Sequence, residues 1–437
     1  LPDEQPKPRR LLGAFDATMI VMGGIVGSGI FMNPHVVAQR VHTAPLILGV
    51  WAAGGAMAML GAFIWAELAT RLPGAGGQYL YLREAYHPAV AFLYGWVLLL
   101  VTQTGGMAAV AVTFARYFRE ITGMGASDGA IAAAALLGLT AINCVGVRAG
   151  SNVQSALMLT KAAAIAAMVV AGFWLGGHHA SAVDTAAGNS SLLASIGAAM
   201  IPVAFAYGGW QTSSFVAAEM RDPRRDLSRG LVLGVSGVVL LYLSVNFVCV
   251  RVLGPVGLGA TSTPASAVMR AALGDRGGQW IAFGIAVSTL GFLSQGILTA
   301  PRVYYAMARD RLFFERVGRL SPSTGVPATA IVVQGFAATA IALIGSYEQI
   351  LNYVTSIDFI SFGLTSAAVF VLRRRQGAEV EGVYRVPGHP FTTGAFVLAA
   401  AGIVASTFYS YPQNSIIGLG ILAAGIPVYL YWSRRRT

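Results

Sequence analysis

The chain has 437 residues, 56% of them hydrophobic and only 11% charged, with a formal net charge of +11, whereas a soluble domain carries about 25% charged residues. A water-soluble catalytic or binding domain is therefore excluded as the body of the molecule. The arginines are scattered over separate short loops and build no continuous groove with interleaved aromatics, which sets nucleic acid aside as a partner.

Apolar runs of about 20 residues, enough to cross a hydrocarbon core of about 30 Å, recur from end to end. They predict an all-α integral membrane protein of about 12 transmembrane helices. After a tail at 1–13, the spans fall at 14–39, 44–70, 86–115, 127–147, 151–176, 192–220, 230–253, 278–308, 327–345, 348–372, 393–411 and 414–433. An even number puts both termini on one side. KPRR near the start, RDPRRDLSR after the sixth span, RDRLFFERVGR after the eighth, LRRRQ after the tenth and the terminal RRR share that side, which their charge marks as cytoplasmic.

The opposite loops GGHHASAVDTAAGNSS, GSYEQ and YPQNS carry no lysine or arginine, although the same topology places Arg116, Arg119, Arg251, Arg270 and Arg276 on that face. The positive charge thus reads as orientation plus attraction to anionic inner-leaflet lipid. The first apolar segment is too long for a signal-peptide core, so insertion is expected through the spans themselves. Cys144 and Cys249 fall inside spans and read as small buried thiols. No metal site and no cofactor are expected.

Two spans carry a break. The first contains GGIVGSGIF at 23–31, four glycines that each cost a helix roughly 0.5–1 kcal/mol relative to alanine. The sixth contains IPVAFAYGGWQ at 201–211, where Pro202 removes a donor and Gly208 and Gly209 permit unwinding. An unwound stretch facing lipid strands backbone groups at several kcal/mol each, so breaks mark cavities. The two lie five spans apart, and because five is odd a second copy of a five-span unit starts from the opposite face. Interrupted segments at corresponding positions of two inverted halves point to a transporter site near the midplane. Spans 1–5 (14–176) and 6–10 (192–372) are the expected repeats, with the pair at 393–433 as an appendage. For most of the 53 glycines, close helix packing is explanation enough.

Unwinding leaves a half-helix whose N-terminus, at Ser28, Gly29 and Ile30, offers free N–H groups and about half a positive charge to a carboxylate. Ser28 could add its hydroxyl as a cap does. The half-helices ending near Gly24 and Ile25, and near Phe205 and Ala206, point carbonyls into the same space and suit an ammonium. Together they describe the backbone of an α-amino acid.

GGIVGSGIF, followed by FAYGGWQTSSFVAAEMRDPRRDLSRG, PRVYYAMARDRLFF and NYVTSIDFISFGLTSAAVFVLRRR, resembles the amino acid–polyamine–organocation (APC) superfamily, and within it the L-type amino acid transporters and their bacterial homologues. The resemblance covers about ten spans. It implies two inverted five-helix repeats, a LeuT-like fold, with discontinuous helices 1 and 6 holding the substrate backbone. Ile25, Ser28 and Gly29 would bind that backbone, Phe205 would present its carbonyl while its ring gates the outer side, and Ala206, Gly208 and Gln211 would line the pocket. Gln211 stands where many members have asparagine, and Ser228 where they have proline, which bears on side-chain selectivity.

Lysine occurs twice, as Lys7 in the tail and Lys161 about ten residues into the fifth span, near mid-membrane. A lone ammonium at that depth is a functional hypothesis; the alternative is a lysine that snorkels or packs neutral. The resemblance implies a built-in substitute for a sodium ion, the ammonium contacting carbonyls of the first span around Gly24. Lys161 could instead titrate and couple a proton to uptake. Glu67, Glu219 and Asp358 read as carboxylates near span ends or turns, solvated or arginine-paired, with Glu219, Arg221 and Arg224 forming a cytoplasmic latch. His178 and His179 read as loop residues.

The expectation is a sodium-independent carrier of neutral L-amino acids in a bacterial inner membrane, most simply an exchanger working by alternating access. No carboxylate is evident at the pocket positions, which argues against cationic side chains. A proton-coupled symporter, a cationic amino acid or polyamine antiporter and a non-transporting sensor are the alternatives. A membrane-embedded enzyme lacks a Ser/His pair or metal cluster. L-type transporters often pair with a glycoprotein through a cysteine between spans three and four; FREITGMGASDG has none, so no disulfide-linked heavy subunit is expected.

Overall fold

The computed structural model describes residues 10–177, 192–261, 263–344, 347–377 and 380–435. The tail up to residue 9, with Lys7, and the loop holding His178 and His179 lie outside the described residues. Those described are helical almost throughout. The first span is a bent pair, Ala14–Ile25 and Gly29–Val41, meeting at 42°. There follow Ala44–Arg71, Pro88–Arg119, Asp128–Val145, Val147–Trp174, Leu192–Glu219, Pro223–Ala260 and Pro264–Arg309, and near the end Phe391–Ser410 and Ser415–Arg434. Nine helices, ten with the bent pair, are long and apolar enough to cross a bilayer among the described residues. The ninth and tenth expected spans are the helices Ala328–Ile344 and Tyr347–Gln376, the former only 17 residues long.

Several helices outrun the apolar stretch that announces them. The seventh continues past Gly254, where φ is 67°, and the eighth begins before Gly274, where φ is 66°. Glycine alone tolerates such a kink cheaply, so each long helix holds a bent extension beyond its apolar run. A short helix, Gln78–Ala85, lies between the second and third spans.

Burial follows helical periodicity. In the fifth span Val147, Gly150, Ser151, Gln154, Met158, Lys161, Ile165, Met168 and Gly172 are buried, a stripe spaced at three and four residues. The opposite faces of such helices expose Leu233, Leu240, Phe283 and Phe336, as a lipid-facing surface requires. The third and eighth spans are the most enclosed of those described.

Helix packing has a regular correspondence. The second span packs on the seventh, the third on the eighth and the fourth on the ninth. The first packs on the seventh as the sixth packs on the second, and the fifth packs on the eighth as the tenth packs on the third. Exchanging each helix for the one five places on maps this set onto itself. The second piece of the first span, Gly29–Val41, and the first piece of the sixth, Leu192–Tyr207, pack on each other.

Candidate functional site

In the first break, Val26, Gly27 and Ser28 separate the two helical pieces. The N–H groups of Ser28, Gly29 and Ile30 have no hydrogen-bond acceptor among the described residues, while Ser28 O accepts from Phe31 N at 3.1 Å. A helix N-terminus with free donors is thus open to the interior. The Ser28 hydroxyl makes no cap bond, contrary to expectation, because Ser28 is itself in the right-handed helical region, with φ at −72°.

The sixth span breaks at Gly208 and Gly209 but not at Pro202, which sits inside the continuous helix Leu192–Tyr207. Asn33 Nδ2 donates to Pro202 O at 2.6 Å and ties Gly29–Val41 to Leu192–Tyr207. Beyond the break, Trp210–Glu219 winds as 3₁₀ helix. Gln211 Oε1 turns back to accept from Gly209 N at 3.0 Å.

The glycines are required where the breaks cross. A Cβ on Gly209, whose φ is 118°, would stand 2.0 Å from Gly24 O, and one on Gly29 would stand 2.9 Å from Ala206 Cα. The Tyr242 hydroxyl, from the seventh span, donates to Ile25 O at 3.0 Å and lies 3.2 Å from Ala206 O. One side chain therefore bridges the last carbonyls of both broken helices.

Lys161 is buried, and its Nζ donates to Val26 O. The buried stripe of the fifth span leaves it no route to snorkel. The acceptor lies inside the break, two residues beyond the expected Gly24, because the carbonyls of an unwound segment turn sideways toward a neighbour. Gly291 of the eighth span lies against the same ammonium, where a Cβ would meet Nζ at 3.4 Å.

Between the breaks is a cavity of about 800 Å³ including its open mouth. Gly24, Ile25, Ser28, Gly29, Phe205, Ala206, Gly208 and Gln211 line it, whereas Ile30 is buried behind the wall. The remaining wall comes from helices whose part was not legible in the sequence. The third span contributes Leu98, Thr102 and Gln103 through a π-helical turn, Leu98–Thr102, that swings an extra residue inward. The eighth contributes Phe292 and Gln295, the latter donating to the Thr212 hydroxyl.

The tenth span contributes Phe359, Phe362 and Asp358. The expectation of a pocket without a carboxylate is thereby overturned: residue 358 is eleven residues past Tyr347, about 16 Å along the axis, and its side chain faces inward instead of lying at a span end.

Glu219 departs from expectation too. It pairs with Arg302, Nε to Oε1 at 2.7 Å, both side chains being 3% exposed, because the 3₁₀ half of the sixth span packs beside the Pro301–Arg309 helix. Its carbonyl accepts from Leu11 N at 2.9 Å and Leu12 N at 3.0 Å. Glu67 is arginine-paired as expected, with Arg71 Nε at 2.8 Å and Arg373 Nη2 at 2.6 Å, and also accepts from Val386 N at 2.8 Å. The thiols are unpaired, Cys249 buried and Cys144 partly so.

The sequence matches the model of the amino acid permease family over residues 12–430. The chain belongs to this family. Its members fall in the APC superfamily that the broken spans resemble, and they are transporters, not enzymes. Among relatives, the serine/threonine exchanger SteT of Bacillus subtilis is 32% identical over 98% of both chains. Human b(0,+)-type amino acid transporter 1 is 30% identical over 88% of this chain and 80% of its own. Human large neutral amino acids transporter small subunit 2 is 27% identical over 98% and 82%. This permease is accordingly a multi-pass membrane protein that transports amino acids.

Proposed function

We propose that this permease exchanges neutral L-amino acids, independently of sodium and by alternating access, across a bacterial inner membrane with both termini cytoplasmic. In this reading 14–176 and 192–372 are inverted repeats, with 393–433 appended. The substrate carboxylate sits on the N–H groups of Ser28, Gly29 and Ile30, its ammonium faces the carbonyls of Gly24, Ile25 and Phe205, and Ala206, Gly208 and Gln211 complete the wall. The Phe205 ring closes the outer side. No disulfide-linked heavy subunit is needed.

The observation that carries the reading is the set of free N–H donors at the first break, facing the second break across one cavity. Independence of sodium is supported by Lys161, whose ammonium already sets a positive charge against Val26 O in the opened first span. Exchange and the neutral class are supported by relatives described as a serine/threonine exchanger and as a large neutral amino acids transporter. With Asp358 in the cavity, the substrate range is not closed to cationic side chains.

The test is uptake of labelled L-serine into proteoliposomes, with or without unlabelled serine inside, in sodium-free buffer at equal and unequal pH. Uptake should rise severalfold with the internal load and ignore sodium. Uptake that ignores the load and follows only the pH gradient overturns exchange. Lys161→Ala should lower turnover about tenfold or more, the worth of a charged hydrogen bond at a moving break; an unchanged rate removes Lys161 from the mechanism.

A further inference from the structure

The cavity contains a carboxylate that the exchange reading does not use. Asp358 is partly open to the cavity and forms no ion pair among the described residues; the other membrane-buried charges that matter for comparison, Glu67, Glu219 and Lys161, each have a partner. Its neighbours are hydroxyls. Thr102 lies beside it, and Tyr94 is within electrostatic reach of both Asp358 and Tyr304. The oxygens of Thr102, Tyr94 and Tyr304 are buried without a hydrogen-bond partner of sound geometry.

Among the described residues no ion pair reaches Asp358 from the helices packed on its own, Arg83 and Glu84 of the short helix Gln78–Ala85 being engaged with each other and Arg83 with Asp310. From the third span the facing titratable group is Tyr94, with Tyr304 of the eighth beyond it. Glu67, Arg373 and the Arg375 contact to Glu84 O lie toward the cytoplasmic end of the tenth span, where Tyr86 also reaches Leu364 O at 2.8 Å. The eleventh span has no charged residue, and the twelfth has only Arg434 at its end. Lys161, which does not line the cavity, is held on Val26 O.

A substrate whose backbone is held by the first and sixth spans directs its side chain toward the wall formed by the third, eighth and tenth. We infer that Asp358 reads that side chain and fixes the charge of the loaded site: it accepts either a cationic side chain or, when the side chain is neutral, a proton. This rests on the exchange reading and deepens it. A lysine-like substrate enters against an ionised Asp358, which Thr102 and Tyr94 can solvate by donating hydrogen bonds. A serine-like substrate enters with one proton taken by the carboxylate from the solution on that side and released on the other. Both loaded sites have the same net charge, so lysine moving one way against serine plus one proton moving the other carries no net charge across.

The experiment uses the full chain in proteoliposomes preloaded with L-serine, comparing labelled L-lysine with labelled L-serine across external pH. In the wild type, serine uptake should rise as pH falls, since more carriers hold the proton, and lysine uptake should fall as the carboxylate is protonated. Lysine-for-serine exchange should ignore an imposed membrane potential and acidify the exterior. Asp358→Asn should lower the lysine-to-serine ratio about tenfold or more and flatten whatever serine profile remains. An unchanged ratio in the variant overturns the inference, and if the variant does not reach the membrane, the wild type decides alone: lysine refused at every pH, or pH profiles of the same sign, overturns it equally. Dependence on internal load tests exchange separately, so either claim can fail without the other.

Discussion

The end of the helix assembly that holds Glu67, Glu219 and Asp310 and the central cavity hold the same kinds of groups in opposite conditions. At that end Glu67 takes donors from Arg71, Arg373 and Val386, Glu219 takes Arg302, and Asp310 takes Arg83 and the Tyr79 hydroxyl at 2.8 Å. In the cavity Asp358 has no ion pair, three successive N–H groups lack acceptors and the Thr102 hydroxyl lacks a partner, among the described residues. A buried polar group satisfied by its own protein holds helices in register. One left open costs free energy until something arrives. On the proposed reading, the contrast separates what closes the molecule from what receives the cargo.

The largest expected effect breaks the closed side. Glu67→Ala leaves Arg71, whose side chain is 0% exposed, and Arg373 without their carboxylate, a loss of about 3–5 kcal/mol for a buried pair cut on one side. Thermal unfolding in detergent should show a large fall in midpoint, with poor membrane yield. Asp358→Asn, which cuts no ion pair, should leave the midpoint where it is or raise it. Equal destabilisation by the two variants would erase the distinction.

A smaller effect sharpens the reading of the glycines. Gly209→Ala forces a Cβ into Gly24 O at a positive φ, costing about 1–3 kcal/mol in backbone strain before any clash is counted. The crossing must open, so serine exchange should collapse while the protein still inserts. Gly138, where an added Cβ meets nothing within 4 Å, supplies the control, and Gly138→Ala should exchange at the parental rate. Matching rates for both variants would return the break glycines to ordinary packing.

The sequence made the spans, the two breaks and the buried lysine legible because each leaves a one-dimensional mark: apolar length, clustered glycine, a charge at depth. Asp358 left the same mark as Lys161. Its distance from the start of the tenth span places it mid-membrane, yet a lone carboxylate in a helix with arginines at its end reads as readily as a solvated end group. Tyr242, Gln295 and the π-helical turn of the third span left no such mark. Tyrosine and glutamine are ordinary in helices, and only tertiary packing brings them to a carbonyl or a cavity. The partner of Glu219 is not legible for a related reason: Arg221 and Arg224 are near in sequence, but Arg302 is near in space, through the packing of the sixth span on the eighth.

The smallest effect probes the seam between the two regions. Tyr242 is fully buried and its hydroxyl engages Ile25 O and Ala206 O, one carbonyl from each broken helix. Tyr242→Phe keeps the ring, which packs 4.9 Å from that of Tyr207 and 5.7 Å from that of Trp51, and removes only the bridge. Stability should fall by about 1–3 kcal/mol, the cost of a lost hydrogen bond plus carbonyls left unsatisfied, well short of Glu67→Ala. The ammonium of a bound amino acid can recover part of that loss by taking the freed carbonyls, whereas the empty carrier cannot. The KM for serine should therefore change more than the melting temperature suggests, and saturating serine should restore much of the midpoint. A variant whose midpoint falls equally with and without serine would show that Tyr242 only packs, and that its carbonyls belong to the closed part of the molecule.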